Sequence, residues 1–387
     1  MSKRPPKILF LVTEDWAFLS HRLPMARAAQ AAGAEVIVAT RISHHADTIK
    51  NAGFKLVETR MDRGNRNPFS ELLTVVSLMI LFWRIRPDIL HNVGLKPLID
   101  GTFAALFSPV GHIVNMFTGM GAIFVNADEQ RMLRRLIILM LRLLMRRKKV
   151  TVVVQNPDDA NLLVSLGVSK PFQHCLIYGS GISVENYPVT PENRGPVTVT
   201  MVSRLLWDKG VGDFVEAARQ IAAIDPDVRF VVVGGADPEN PRNIDDRTLA
   251  SWRELGVVDF VGPKTDIAEI WATSHIAVLP SYREGMPKSM LEAASCGRPL
   301  IVTDVPGCRE LVREGENGLL VPARDPVALA FAITMLAHDP QLRSKMGSRA
   351  RKDVEERFSD QVIEAETKAL YTGILGRLYP ENVSGTL

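Results

Sequence analysis

Cysteine is scarce in this chain: Cys175, Cys296 and Cys308 are three in 387 residues, odd in number and far apart. That excludes a disulfide framework and a Cys-x-x-Cys metal pair, and points to a reducing cytoplasm. Long hydrophobic runs are missing as well. The longest uncharged apolar stretch, Leu72 to Trp83, has twelve residues, against the roughly 18 of a membrane span. The opening MSKRPPKILFLV has basic groups before a short apolar run, but Glu14 and Asp15 follow at once. It reads as a first strand and not as a secretory leader. Short repeats and low-complexity tracts are absent. Glycine (27) and proline (24) are present in ordinary amounts, which excludes collagen-like and disordered classes. A metal-binding Asp-x-Asp occurs once, at Asp225-Pro226-Asp227. It sits in a helix-to-strand loop on the wrong side of its domain, so no metal or other cofactor is expected.

What the chain has is an uneven charge. Residues 1–190 hold 23 Lys+Arg against 14 Asp+Glu, and residues 191–387 hold 23 against 29, so a +9 half precedes a −6 half and the sum is +3. This asymmetry predicts two domains with different tasks. Much of the excess lies in RMLRRLIILMLRLLMRRKK, residues 131–149, with eight basic residues, eleven apolar ones and no acid. Arg131, Arg135, Arg142, Arg146 and Lys149 fall near one helical face, and Ile137, Leu141 and Leu144 fall away from it. Such a helix suits an anionic membrane interface. The plainer alternative is a core helix with a solvated basic face. Nucleic acid is a poorer partner, since no aromatic residue is available for stacking.

Apolar strands alternate with amphipathic helices. Strands are expected at Lys7–Thr13, Glu35–Thr40, Asp88–Asn92, His112–Asn115 and Val150–Val154. Helices are expected at Ser20–Ala32, Ser70–Arg84 and Pro97–Leu106. After Pro188–Pro196, a Pro- and Gly-containing stretch read as a linker with Gly179 and Gly181 as hinges, the rhythm restarts. Strands then follow at Val197–Ser203, Arg229–Gly234, Asp259–Val261, Ile276–Leu279, Pro299–Thr303 and Gly318–Val321. Continuous apolar strands alternating with helices imply parallel sheets covered on both faces, with sites at the C-terminal strand ends. The expected organisation is an N-terminal domain over 1–187, a second over 188–365, and a C-terminal helical segment, 366–387, crossing back onto the first.

Two clusters look chemical. Arg204, Lys209 and Gly210 lie where a strand ends and a helix begins, a place suited to a diphosphate. Ordinary turn residues are the alternative. The second cluster runs from Glu284 through Gly285, Met286, Pro287 and Lys288 to Glu292. A carboxylate is a pure acceptor, fit for the vicinal hydroxyls of a ribose or hexose, and the loop amides at a helix start suit an anion. Cations at one end and carboxylates at the other fit a nucleotide-diphosphate sugar.

The order Ser203-Arg204-Leu205, Lys209-Gly210, Glu284-Gly285-Met286-Pro287, Glu292, Thr303-Asp304-Val305-Pro306-Gly307 and Glu316-Asn317-Gly318 resembles the family 4 glycosyltransferases of GT-B fold. Further likeness, at Phe18 to Pro24, Val154 to Asp159 and Ser281 to Lys288, is to bacterial members that extend undecaprenyl-diphosphate-linked sugars. The resemblance implies two Rossmann-like domains facing a cleft and a retaining, metal-independent transfer from a UDP-sugar to a lipid-diphosphate-linked saccharide. It implies that Arg204 and Lys209 neutralise the donor diphosphate and that Glu292 holds the ribose. Glu284 would contact the donor hexose, and the backbone of Gly285, Met286, Pro287 and Lys288 would approach sugar and phosphate. Gly262, Pro263 and Lys264 would cradle the base. A nucleotide-sugar epimerase of the same architecture, or a non-catalytic nucleotide-sugar or lipid-binding protein, are the competing classes.

The chain departs from the family pattern at two places. The loop after the first strand, Thr13 to Ser20, has no glycine pair; its Trp16 and Phe18 are read as acceptor or lipid contacts, or equally as packing. The second histidine of the family's His-x-His is replaced by Val93. His91, Lys96 and His21 are the acceptor-side candidates, with a plain capping role open for His21. The acceptor implies work at the inner face of the cell membrane, to which residues 131–149 would hold the enzyme.

Overall fold

The fold is taken from a computed structural model that describes residues 4–61, 67–119 and 131–380. The chain divides into two compact units, Met1–Gly181 with Gln361–Leu387, and Ile182–Asp360. The sequence reading placed these divisions slightly later, at 187/188 and 365/366. Pro188–Pro196 is not a loose connector. Within the second unit Arg343 grips the Glu192 carboxylate at 2.8 and 3.0 Å, and Arg298 donates to the Thr190 carbonyl at 2.8 Å. Buried guanidinium groups need partners, and this stretch supplies them. The change of unit falls instead at Gly181, whose left-handed φ of 79° suits a turn.

The first unit is a seven-stranded parallel sheet: β1 (Lys7–Glu14), β2 (Glu35–Arg41), β3 (Lys55–Glu58), β4 (Ile89–Val93), β5 (His112–Met116), β6 (Val150–Val154) and β7 (His174–Leu176), in the order β3-β2-β1-β4-β5-β6-β7. The central strands are apolar on both faces because helices cover both. One side packs Phe10, Met25 and Val38 against Ile363, Tyr371 and Ile374 of the helix Asp360–Leu378. The other packs Leu9, Leu11 and Leu90 against Leu78 and Phe82 of the helix Pro68–Ile85. β3 and β7 escape the periodicity reading because they are short edge strands, only half buried. The expected helix Ser20–Ala32 is two helices, Asp15–His21 and Leu23–Ala31, parted at Arg22 just before Pro24.

The second unit has six parallel strands: β8 (Thr198–Val202), β9 (Arg229–Val233), β10 (Asp259–Gly262), β11 (Ile276–Leu279), β12 (Leu300–Thr303) and β13 (Gly318–Val321), ordered β10-β9-β8-β11-β12-β13. Both sheets reverse direction of winding once, between β1 and β4 and between β8 and β11. Such switch points open a crevice at the C-terminal strand ends, where ligands of doubly wound folds bind.

Candidate functional site

At the β8/β11 switch point two loops are drawn together. The loop after β8 carries Arg204, a short 3-10 turn Trp207–Lys209, and Gly210 before the helix Val211–Ala222. Gly210 has φ 72°, and a Cβ there would lie 2.0 Å from the Pro280 carbonyl oxygen of the loop after β11. No other residue allows that approach. The Tyr282 N–H also donates to the Asp208 carbonyl at 2.8 Å. The contact brings Lys209 Nζ to Glu284 Oε1 at 2.5 Å, and Ser281 Oγ donates to the same oxygen at 2.7 Å. From the far side, Gly307 (φ 86°) lets the loop after β12 pass so close that a Cβ would sit 2.6 Å from the Glu284 and Gly285 carbonyl oxygens. Glu284 is therefore fixed by three loops.

Arg204 pairs with Asp237, on the loop after β9. Both predicted cations thus stand on the loop after β8, and each is held by a carboxylate from a neighbouring loop, Arg204 by Asp237 after β9 and Lys209 by Glu284 after β11. The Arg204–Asp237 pair is the more exposed of the two, while Lys209–Glu284 is largely withdrawn from solvent.

Glu292 sits on the helix Lys288–Ser295, which follows the Gly285–Pro287 loop directly. It is only 8% exposed. Burial pushes its carboxyl above the usual range, and the nearby Lys288 cation opposes that rise. Tyr187 faces the same carboxylate, and its phenol is pushed upward by burial and by Glu292. Gly285 and Pro287 are buried, and Met286 and Lys288 half-buried, in the turn that starts the helix. Gly262 ends β10 with φ 74°, and Lys264 is exposed in the following loop, at the same C-terminal edge of the sheet.

In the first unit the acceptor-side candidates fare differently. His91 corrects the expectation that it faces a ligand. It is 1% exposed in mid-β4, stacked on Phe10 with ring centroids 4.9 Å apart, and its Nδ1 is 2.6 Å from the Tyr371 hydroxyl. Burial, and then the Arg22 cation, push its pKa down to about 3, so the ring is neutral and works as a packing group. Phe18 is likewise core, edge-on to Phe10 and Phe54, while Trp16 is largely exposed. His21 is half-buried at the end of its helix. Lys96 stays at a strand end, in the first turn of the helix Leu95–Ala105 after β4, and binds both Glu71 carboxylate oxygens at 2.5 and 2.6 Å.

The roles of four residues of these surroundings are not read from the sequence. Asp237 and Ser281 hold the two key charges; Asp237 belongs to no spaced motif, and Ser281 enters only as the first residue of the Ser281–Lys288 likeness, with no role attached. Asp100 lies one turn along the helix from Lys96, and burial pushes its carboxyl up to about 6, opposed by the Lys96 cation. Asp15 accepts from Ser43 N and Oγ, each at 2.7 Å, and from His45 N at 3.2 Å. Burial raises its pKa, but these bonds and one from Trp16 outweigh it, leaving the group below its usual range. The acid right after β1, read only as evidence against a leader, was the available signal: it ties together the loops after β1 and β2.

The helix Arg131–Met145 buries Ile137, Leu141 and Leu144 and exposes Arg135 and Arg142, in the arrangement the spacing predicts. The side chain of Arg131 lies outside the described residues. Among the described residues, no helix is long and apolar enough to cross a membrane.

Residues 7–156 match the family model described as Glycosyl transferase 4-like, and residues 196–339 match Glycosyl transferases group 1. The chain is 27% identical over 380 residues to the N,N'-diacetylbacillosaminyl-diphospho-undecaprenol alpha-1,3-N-acetylgalactosaminyltransferase of Campylobacter jejuni, covering 92% of this chain and 98% of that protein. It is 23% identical to the capsular polysaccharide biosynthesis glycosyltransferase CapM of Staphylococcus aureus, over 79% of this chain and 82% of the other. Among solved structures, Anabaena HepE in complex with UDP and glucose superposes with a TM-score of 0.78 at 18% identity, covering 95% of this chain and all of HepE, 100%.

Proposed function

The chain belongs to the glycosyltransferases, 4-like in its first half and group 1 in its second; from that premise we propose that it moves a hexose or N-acetylhexosamine from a UDP-sugar to a polyprenyl-diphosphate-linked saccharide. The observation that carries the proposal is the meeting of Arg204, Lys209 and Glu284 at the β8/β11 switch point, with Glu292 on the helix that follows. The Campylobacter relative, whose name specifies an undecaprenol-diphosphate-linked acceptor, and the UDP-bound Anabaena structure support this choice of donor and acceptor.

In the proposed reaction the anomeric carbon–oxygen bond of the donor breaks and negative charge grows on the leaving diphosphate. Lys209 and Arg204 stabilise that charge, trading Glu284 and Asp237 for phosphate oxygens. The released Glu284 carboxylate accepts from hexose hydroxyls, and Glu292 accepts from the ribose. A leaving phosphate oxygen takes the proton of the attacking hydroxyl on the same face, so configuration is retained and no separate general base is needed. No metal takes part. Lys96 and His21 belong to the acceptor side. The basic helix holds the enzyme at the inner face of the cell membrane, where a lipid-linked acceptor resides; Arg135→Glu, Arg142→Glu and Arg146→Glu together release it from anionic vesicles.

The test is nucleoside-diphosphate release from a panel of nucleotide sugars, with and without an undecaprenyl-diphosphate-sugar extract, beside Glu292→Ala. Release from one donor that needs the extract and vanishes in the variant is expected. Conversion of the donor without extract and without nucleotide release would overturn transfer in favour of epimerisation. Silence with every donor would favour a binding protein.

A further inference from the structure

The helix Pro68–Ile85 is built the wrong way round for a water-facing helix. Its outward positions recur at helical spacing, and six of them are large and apolar: Phe69, Leu72, Leu73, Val76, Ile80 and Trp83, with Phe69 and Ile80 each about two-thirds exposed at 68% and 66%. Among the described side chains, only Ser77 and Arg84 interrupt this exposed stripe. Its inward side is already satisfied, since Leu78 and Phe82 fill the core under β1 and β4. A surface helix normally turns such a stripe inward, and contiguous exposed apolar surface marks an interaction site.

The surroundings select the occupant. Arg84 and Arg86 are exposed at the C-terminal end of the helix. The helix Leu95–Ala105 adds exposed Phe103, with Phe107 just beyond it, and Trp83 Nε1 donates to the Phe107 carbonyl at 2.9 Å. Beyond it, on the same side of the sheet, the helix Arg131–Met145 exposes Leu136, Leu139 and Leu143 beside Arg135 and Arg142. The one acid of the helix Pro68–Ile85, Glu71, is paired with Lys96. A second copy laid on this face would set cation against cation. An anionic phospholipid surface complements both the charge and the apolar stripe.

We propose that the helix Pro68–Ile85 inserts its outer stripe into the acyl boundary of an anionic bilayer, so that docking is hydrophobic as well as electrostatic. The inference rests on the membrane reading given for the basic helix and deepens it. Interfacial helices seat their apolar face roughly 5–10 Å deep, which puts Trp83 among acyl carbons and the basic helix at the headgroups.

The test uses the full chain with vesicles of phosphatidylethanolamine and phosphatidylglycerol, in low and high salt, with acyl-brominated lipid as quencher. Expected is binding that persists in high salt. Quenching should fall when Trp83→Phe is compared with the wild type. Leu72→Ser with Ile80→Ser should bind about tenfold weaker or worse in high salt, the size of losing a buried leucine, with an unchanged melting temperature because both side chains point outward. Full release by salt with no quenching at Trp83 would overturn the insertion and leave electrostatic docking standing. No binding at any salt would overturn both. A dimer in solution that Ile80→Ser dissociates would assign the stripe to self-association and overturn the proposal.

Discussion

The two units share one winding pattern and use it oppositely. At the β8/β11 switch point the second unit gathers charge: Lys209 with Glu284, Arg204 with Asp237, Asp208 with Arg242. At the β1/β4 switch point the first unit buries a neutral His91 against Tyr371, with two ion pairs beside it, Arg41 with Glu14 at the ends of β2 and β1 and Lys96 with Glu71 after β4. Outside these points the contrast reverses. The first unit exposes apolar and cationic side chains together on one side of its sheet, the surface proposed above to meet a bilayer. Identical topology therefore says where a ligand can bind, and the loop side chains say which kind.

The contrast is broken most severely at the charged end. Lys209→Ala should lower kcat about 100- to 1000-fold, the loss seen when one preorganised donor to a developing anion is removed, measured as nucleotide release at saturating donor. Because Lys209 and Glu284 hold each other, the double variant with Glu284→Ala should lose less than the two single losses combined. Gly210→Ala comes next. A Cβ 2.0 Å from the Pro280 carbonyl should cost about 3 kcal/mol, lowering the melting of the second unit while leaving that of the first in place. Calorimetry would resolve the two transitions.

The buried histidine sharpens the comparison through pH. Folded His91 titrates at about 3 instead of 6.5, so between these values the unfolded chain takes the proton that the folded one refuses. Its contribution is complete above about pH 6.5 and is lost as pH falls toward 3, at up to roughly 1.4 kcal/mol per pH unit. The first unit should be the acid-labile one, and His91→Phe should flatten its melting profile over that window. Lys96→Ala should raise the acceptor KM about tenfold, the worth of a charge-assisted hydrogen bond, and leave donor hydrolysis unchanged. A donor effect would remove Lys96 from the acceptor side. Smallest of all, a metal chelator should leave turnover as it was.

Most of the architecture was legible in the sequence because buried parallel strands write themselves as uninterrupted apolar runs. All six strands of the second unit and five of the first were predicted to within a residue or two. The edges β3 and β7 were not, since a half-buried strand of three or four residues has no periodicity to read. The Glu284–Glu292 spacing and the Arg204–Lys209 cluster were visible as residues in strand-end loops. Their partners were not: Asp237 reaches Arg204 across 33 positions, and Ser281, though part of the Ser281–Lys288 likeness, has no spacing that shows its hydroxyl turning to Glu284. His91 was misjudged because a strand-end register shared with a family motif does not reveal that Tyr371, 280 residues away, closes over it. The outward stripe of Pro68–Ile85 was hidden in an apolar run that spacing alone assigns to the interior.

The chain leaves the first unit after Gly181 and returns to it at Gln361. On Asp88 the two extremities of that unit meet: Arg4 and the Lys7 N–H bind its carboxylate at 3.2 and 2.7 Å, and the Tyr379 hydroxyl binds it as well. Translation therefore begins the first unit, completes all of the second, and only afterwards emits the helix carrying Ile363, Tyr371 and Ile374. The part of the protein made first is the last to be finished. Until that helix arrives, Tyr371 does not close over Phe10 and His91, and the nascent chain carries a partly open core past the ribosome for the length of a whole domain. A protease faces the same threading from the other side: one cut between the units frees nothing, and two are needed to part them.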